Sequence, residues 1–123
     1  MSLAADVRDI DHTDASSVHT AERFGVEMLS SSVSRANVDE IVASYVPRTF
    51  VPAAVNVVQT IMYRANPHFR YYEVTEHGYG VLLFSQSNVT GQYWHTPVLE
   101  KTSEQWLAKK VVCPLNSNRW IDQ

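Results

Sequence analysis

The spacing of hydrophobic and polar positions changes several times along this chain. Residues 1–22 show no sustained period, and the run Asp9-Ile10-Asp11-His12-Thr13-Asp14-Ala15-Ser16-Ser17 is polar and acidic. This stretch predicts a flexible arm or linker over 1–22, with the ordered part over 23–123. Phe24, Val26 and Met28 then alternate with Gly25, Glu27 and Leu29, as in a strand with one buried face. Asn37 and Glu40 stand at the spacing of a capping box, in which each side chain satisfies an orphan backbone donor. Val38, Ile41, Val42, Tyr45 and Val46 follow on one helical face, and Pro47 stops the helix. A second helix opens near Pro52 and carries the stripe Ala54, Val57, Val58, Ile61, Met62 and Ala65. Asn66-Pro67 closes it, because a residue before proline avoids the helical region.

From Phe69 the period becomes that of strands. Runs over 70–75, 79–85 and 89–96 are separated by Glu76-His77-Gly78 and Gln86-Ser87-Asn88. Connections this short predict an antiparallel three-stranded meander, since parallel strands need longer crossovers. The middle run, Tyr79-Gly80-Val81-Leu82-Leu83-Phe84, is apolar at almost every position and is expected to be covered on both faces. Thr102 and Gln105 predict a short helix, and the remainder to Gln123 reads as irregular. The fold class is therefore α+β: one N-terminal strand, two helices, then the meander.

Composition narrows the function classes. A chain of 123 residues, 45% hydrophobic and 11% aromatic, makes one domain with a modest core. The net charge of −3 and the lack of a Lys/Arg run argue against nucleic acid as a partner. Membrane insertion is not expected, because the most apolar stretch, 51–63, is broken by Asn56, Gln59 and Thr60, well short of the roughly 20 residues a spanning helix needs. Cys113 is the single cysteine, so no intramolecular disulfide forms.

Candidate chemistry is sparse. Asp9, Asp11, His12, Asp14 and His19 are ligand-type residues, but their spacing matches no metal template and the segment reads as a solvated arm; no metal ligand is assigned. His68, beside Pro67 at a helix-to-strand corner, either reaches into a site or packs the corner. Glu27 is an acid inside an apolar strand, which needs a partner if its face is buried and is solvated if the strand is an edge. His77 is expected to be exposed in a turn, and His95 packed among aromatics. Cys113 has no neighbouring base, Ser30, Ser31, Ser32 and Ser34 lack a nucleophile elbow, and no phosphate-binding glycine loop is present. Asn88-Val89-Thr90 matches a glycosylation sequon by pattern only.

Gly25-Val26-Glu27-Met28-Leu29 with its serine-rich turn, Asn66-Pro67-His68-Phe69-Arg70-Tyr71-Tyr72, Glu76-His77-Gly78-Tyr79-Gly80-Val81, and Val89-Thr90-Gly91-Gln92-Tyr93-Trp94 occur in an order that resembles alkaline phosphatase D (PhoD)-like metallophosphoesterases. The resemblance covers about residues 24 to 100 and departs from the family at Gln92 and at Thr96-Pro97. It implies the C-terminal part of an α/β metallophosphoesterase sandwich. Members hydrolyse phosphomonoesters or phosphodiesters with metal ions, iron and calcium in particular, and are generally exported. The family's metal-site motifs, Gly-Asp-x-x-Tyr, Gly-Asn-His-Asp/Glu and Gly-Asp-x-His, do not occur in this chain. The resemblance thus implies no cofactor held by this chain alone, no catalytic residue, and at most supporting positions for Glu27 and His68. Its implied partners are the rest of a phosphatase domain or, for the isolated chain, further copies in a homo-oligomer. The other reading is a standalone dimeric binding module derived from that family.

Overall fold

The stretch expected to be an arm supplies the middle strand of a sheet. The computed structural model describes residues 1–9, 13, 14, 16, 20–32, 36–97 and 102–123. Strand β1 (Ser2–Arg8) lies between β2 (Arg23–Leu29) and β3 (Phe69–Glu73), antiparallel to both. Its alternation is invisible by hydropathy because both of its faces are covered. Leu3 and Ala5 pack under the helices, whereas Ser2, Ala4 and Asp6 face the second sheet, and all five are buried. Small and polar residues suffice for such a strand, and they read as loop when the covering layers are unknown.

The helical layer lies over one face of this sheet. Helix α1 (Val38–Ala43) begins as the capping pattern predicts, with the Asn37 N–H donating to Glu40 Oε2 at 2.8 Å. Asn37 is also tied to the end of β3, donating from Nδ2 to the Thr75 carbonyl at 2.7 Å. The expected helix runs only to Ala43, and a 3-10 turn (Arg48–Phe50) then leads into α2 (Val51–Ala65), which has Pro52 in its first turn and ends before Pro67. Val51 and Val55 of α2 close over Leu3, Ala5, Tyr72 and Val74. The Tyr63 hydroxyl accepts the Tyr72 N–H at 2.8 Å, which fixes α2 along β3.

The second sheet has the order β4 (Gly78–Phe84), β5 (Asn88–His95), β6 (Trp106–Pro114), β7 (Ile121–Asp122), all antiparallel. Three expectations are corrected here. The meander consists of β4, β5 and β6, because β3 pairs with β1 and the 76–78 turn crosses between sheets. The region after Thr102 is the long strand β6 instead of a helix and irregular tail; Trp106, Val111, Val112 and Cys113 are good strand formers, and β5 offers them a full ladder. The apolar middle run is an edge strand, so Leu82, Leu83 and Phe84 are exposed.

The two sheets meet through Ala4, Tyr93, Val111 and Trp120, with Val26, Met28, Tyr71, Val89 and Cys113 around them. Met28 fits because β4 and β5 have glycines opposite it. A Cβ on Gly91 would lie 3.0 Å from Met28 Sδ and 3.1 Å from Val111 Cγ2. The Tyr93 hydroxyl donates to the Leu3 carbonyl at 2.5 Å across the sandwich.

His95 is packed, as expected. It is 3% exposed, with Nε2 3.3 Å from the Tyr71 hydroxyl and its ring edge-on to Trp106. Burial lowers its pKa, against the opposing pull of Glu76 and Glu73, and the N-terminal ammonium adds to the lowering. The neutral form is thus favoured in the folded state. Stability from this group is complete above the ordinary histidine pKa and is lost as the pH falls through the lowered value, because the unfolded chain takes up the proton first. Urea midpoints should therefore fall between about pH 7.5 and about pH 5.5, and His95→Gln should make that fall smaller. A pH dependence identical in the variant would contradict this placement.

Candidate functional site

At one end of the first sheet, the three strands bring charges together on the face toward the second sheet. Asp6 shares the inward face of β1 with Ser2 and Ala4 and is 0% exposed. Its Oδ2 accepts Arg23 Nε at 3.0 Å, Arg70 Nε at 3.0 Å and Arg70 Nη2 at 2.6 Å. Its Oδ1 accepts the Trp120 N–H at 2.9 Å. Arg70 is available for this because the β1–β3 register shifts by one residue: Ala4 is opposite Tyr71 and Ala5 opposite Phe69, so Arg70 is the extra residue of a bulge.

An isolated carboxylate here would cost several kcal/mol in lost hydration. Two guanidiniums and an amide offset that cost. The same contacts hold the C-terminal segment in place, since the Trp120 indole N–H donates to the Glu27 carbonyl at 2.9 Å. Asp6 is therefore joined to β2, β3 and the approach to β7 at once.

The cluster has more positive than negative charge. Arg8 stands at the same end, and its pKa is lowered by burial and then by the Arg23 charge, with Asp6 pulling the other way and Arg70 adding to the lowering. His68 is half-buried, its ring 4.9 Å from that of Phe69, and its carbonyl accepts the Asp6 N–H at 3.0 Å. Its Nδ1 is buried without a hydrogen-bond partner among the described residues. Burial lowers the His68 pKa and Arg8 lowers it further, with smaller opposing contributions from Asp6 and Glu27. Beside the cluster, a cleft of about 320 Å³ is lined by Arg70, Arg119, Trp120, Ile121 and Asp122. Within it Asp122 pairs with Lys109 at 3.1 Å.

The two sequence candidates have different fates. His68 adjoins the arginine cluster. Glu27 is within its electrostatic range but sits on the opposite face of β2, where no helix covers it, and is exposed; only its backbone carbonyl takes part. Asp9 and Asp14 are exposed, Asp14 bonding to Ser16 at 2.8 Å, and Asp11, His12 and His19 lie outside the described residues. His77, expected to be exposed, is half-buried, because Nδ1 donates to the Ser32 carbonyl at 2.9 Å and Nε2 lies 3.7 Å from Glu40. Cys113 Sγ lies 3.6 Å from the Ser117 hydroxyl. Among the described residues, no three His, Cys, Asp or Glu side chains gather as a metal centre would. Sequence reasoning missed Asp6, Arg23, Arg70 and Arg119. The usable signal was an acid inside Leu3-Ala4-Ala5-Asp6-Val7, the same signal that singled out Glu27.

Asp6→Asn should lower unfolding free energy by about 2–4 kcal/mol, since breaking a buried pair costs more than the pair contributes and the partly exposed arginines regain some water. Urea denaturation with the slope held constant measures this. A loss below about 0.5 kcal/mol, the range of an ordinary surface change, would contradict the clamp.

Comparison with protein-family models, with curated proteins and with solved structures gives no match to this chain.

Proposed function

We propose that this chain is the C-terminal structural portion of an alkaline phosphatase D-like phosphoesterase and does not hydrolyse phosphoesters by itself. The observation that carries the reading is the apolar surface left open on a well-cored sandwich. On the helical side, Tyr45, Phe50, Val57 and Ile61 are exposed, Val57 and Ile61 at 58% each. On the open edge between β2 and β4, Phe24 is 63% exposed and Phe84 77%. Large apolar side chains exposed on the helical side and at the β2 and β4 edges support the reading of surfaces that further protein covers. The resemblance of four sequence segments to the family is the second support for the reading; they run through β2, the α2–β3 corner, β4 and β5.

In this reading the metal ions belong to segments of the family domain that bear the Gly-Asp-x-His type of motif. The donors described here do not fit such a cluster: both Asp6 oxygens are occupied by arginines and an amide, and among the described residues no three His, Cys, Asp or Glu side chains gather. His68 supports the β3 corner. The same apolar surfaces favour a second reading, a dimeric binding module, because two copies could bury their β4 edges against each other.

Hydrolysis of a chromogenic phosphodiester by the purified chain, with iron, calcium, manganese or zinc and a chelator control, tests the first reading. The expected rate equals the chelator blank. Metal-dependent turnover that persists after repurification and disappears in His68→Ala would overturn it.

A further inference from the structure

We propose that the free edge of β4 pairs antiparallel with the β4 edge of a second copy of this chain, with a two-fold axis at Val81. The inference rests on the dimeric reading above and gives it an interface and a register. Among the described residues the two sheets end in four edge strands, and three of these are blunted. β2 carries Arg23 and Glu27 and shifts register against β1. β3 carries Arg70 and Glu73 and also shifts register against β1. β7 is two residues long. Charges, bulges and short length keep a sheet edge from pairing with another chain. β4 has none of these protections. Its sequence Gly78-Tyr79-Gly80-Val81-Leu82-Leu83-Phe84 holds no charge and no proline, and its ladder to β5 runs unbroken over all seven residues.

The pattern of β4 points to a second copy as the occupant, because the strand complements itself. Gly80 faces the first sheet, where an added Cβ would lie 2.8 Å from Met28 Cε, and Leu82 lines a small gap with Met28 and Ser30 on the same side. By alternation Gly78 and Phe84 share that face, and Tyr79, Val81 and Leu83 share the other. A two-fold at Val81 sets Leu82 of each copy opposite Gly80 of the other, Phe84 opposite Gly78, and Tyr79 opposite Leu83. On the inward face, each large side chain then falls where the other copy has none. An axis at Leu82 would pair only five of the seven residues. No like charges meet across the axis, since the strand carries none. Tyr79, Leu82, Leu83 and Phe84 are 38%, 45%, 50% and 77% exposed. At about 200 Å² for a large side chain, their open parts amount to about 400 Å² per copy. Two copies with their backbone edges thus bury about 1,000 Å², the size at which small specific interfaces begin, which sets the expected affinity in the micromolar range.

Sedimentation velocity over a range of concentrations tests the association, and disulfide trapping tests the register. The chain should pass from monomer to dimer at micromolar concentration. Leu82→Lys should weaken the dimer by at least about tenfold, because it brings two like charges near the axis and fills the space beside Gly80. Trapping uses Cys113→Ser as the background, which removes the single native thiol. Val81→Cys in that background should form an intermolecular disulfide on mild oxidation, since residues facing each other across an antiparallel pair have Cα atoms about 4.5–5.5 Å apart, within disulfide reach. Leu83→Cys should not, because its two copies would stand about 14 Å apart along the strands. A monomer at every concentration would overturn the proposal and assign the edge to a different protein segment. A dimer unchanged by Leu82→Lys, or trapping in Leu83→Cys but not in Val81→Cys, would overturn it as well. A dimer held elsewhere keeps the dimeric reading while sinking this interface, and none of these outcomes bears on phosphodiester turnover.

Discussion

The buried carboxylate of Asp6 is the constraint on which the rest of the structure depends. It lies on the central strand of one sheet, 0% exposed, and it is satisfied only if three distant parts of the chain arrive together. Arg23 comes from β2, Arg70 from the bulge of β3, and the Trp120 amide from the segment before β7. A misplaced strand would leave a charge buried without a partner, a far larger penalty than the loss of a few apolar contacts. The interaction therefore selects one arrangement of the strands more than it adds net stability.

That selection explains how a small chain holds three layers. The helices cover one face of the first sheet through Val51 and Val55, and the second sheet covers the other through Tyr93 and Val111. The inner sheet is then protected on both faces, while the outer surfaces of α2 and β4 keep large apolar side chains in contact with solvent.

The sequence was most readable where local chemistry decides the outcome. Asn37 with Glu40 marked the start of α1, and Pro52 and Asn66-Pro67 marked both ends of α2. The strand β5 also lies where alternation placed it. The failures have a common cause in tertiary context. Residues 2–8 carry mostly small side chains with two charges, Asp6 and Arg8, and only the layers on both sides make them a strand. The apolar run of β4 reads the same whether it is central or at an edge. Glu27 and Asp6 are both acids within apolar strands, yet the edge position of β2 leaves one in water while the central position of β1 buries the other. Arg70 was hidden for a related reason, since the bulge that turns it toward Asp6 is a property of the pairing with β1.

Amide hydrogen exchange along β1 tests the account most directly. If β1 is the organising strand, the amides of Ala4, Ala5 and Asp6 belong to the slowest-exchanging group of the protein and open only with global unfolding. If those amides exchange as fast as the exposed Asp9 region, the first residues are an arm after all, and the Asp6 clamp does not hold the fold together.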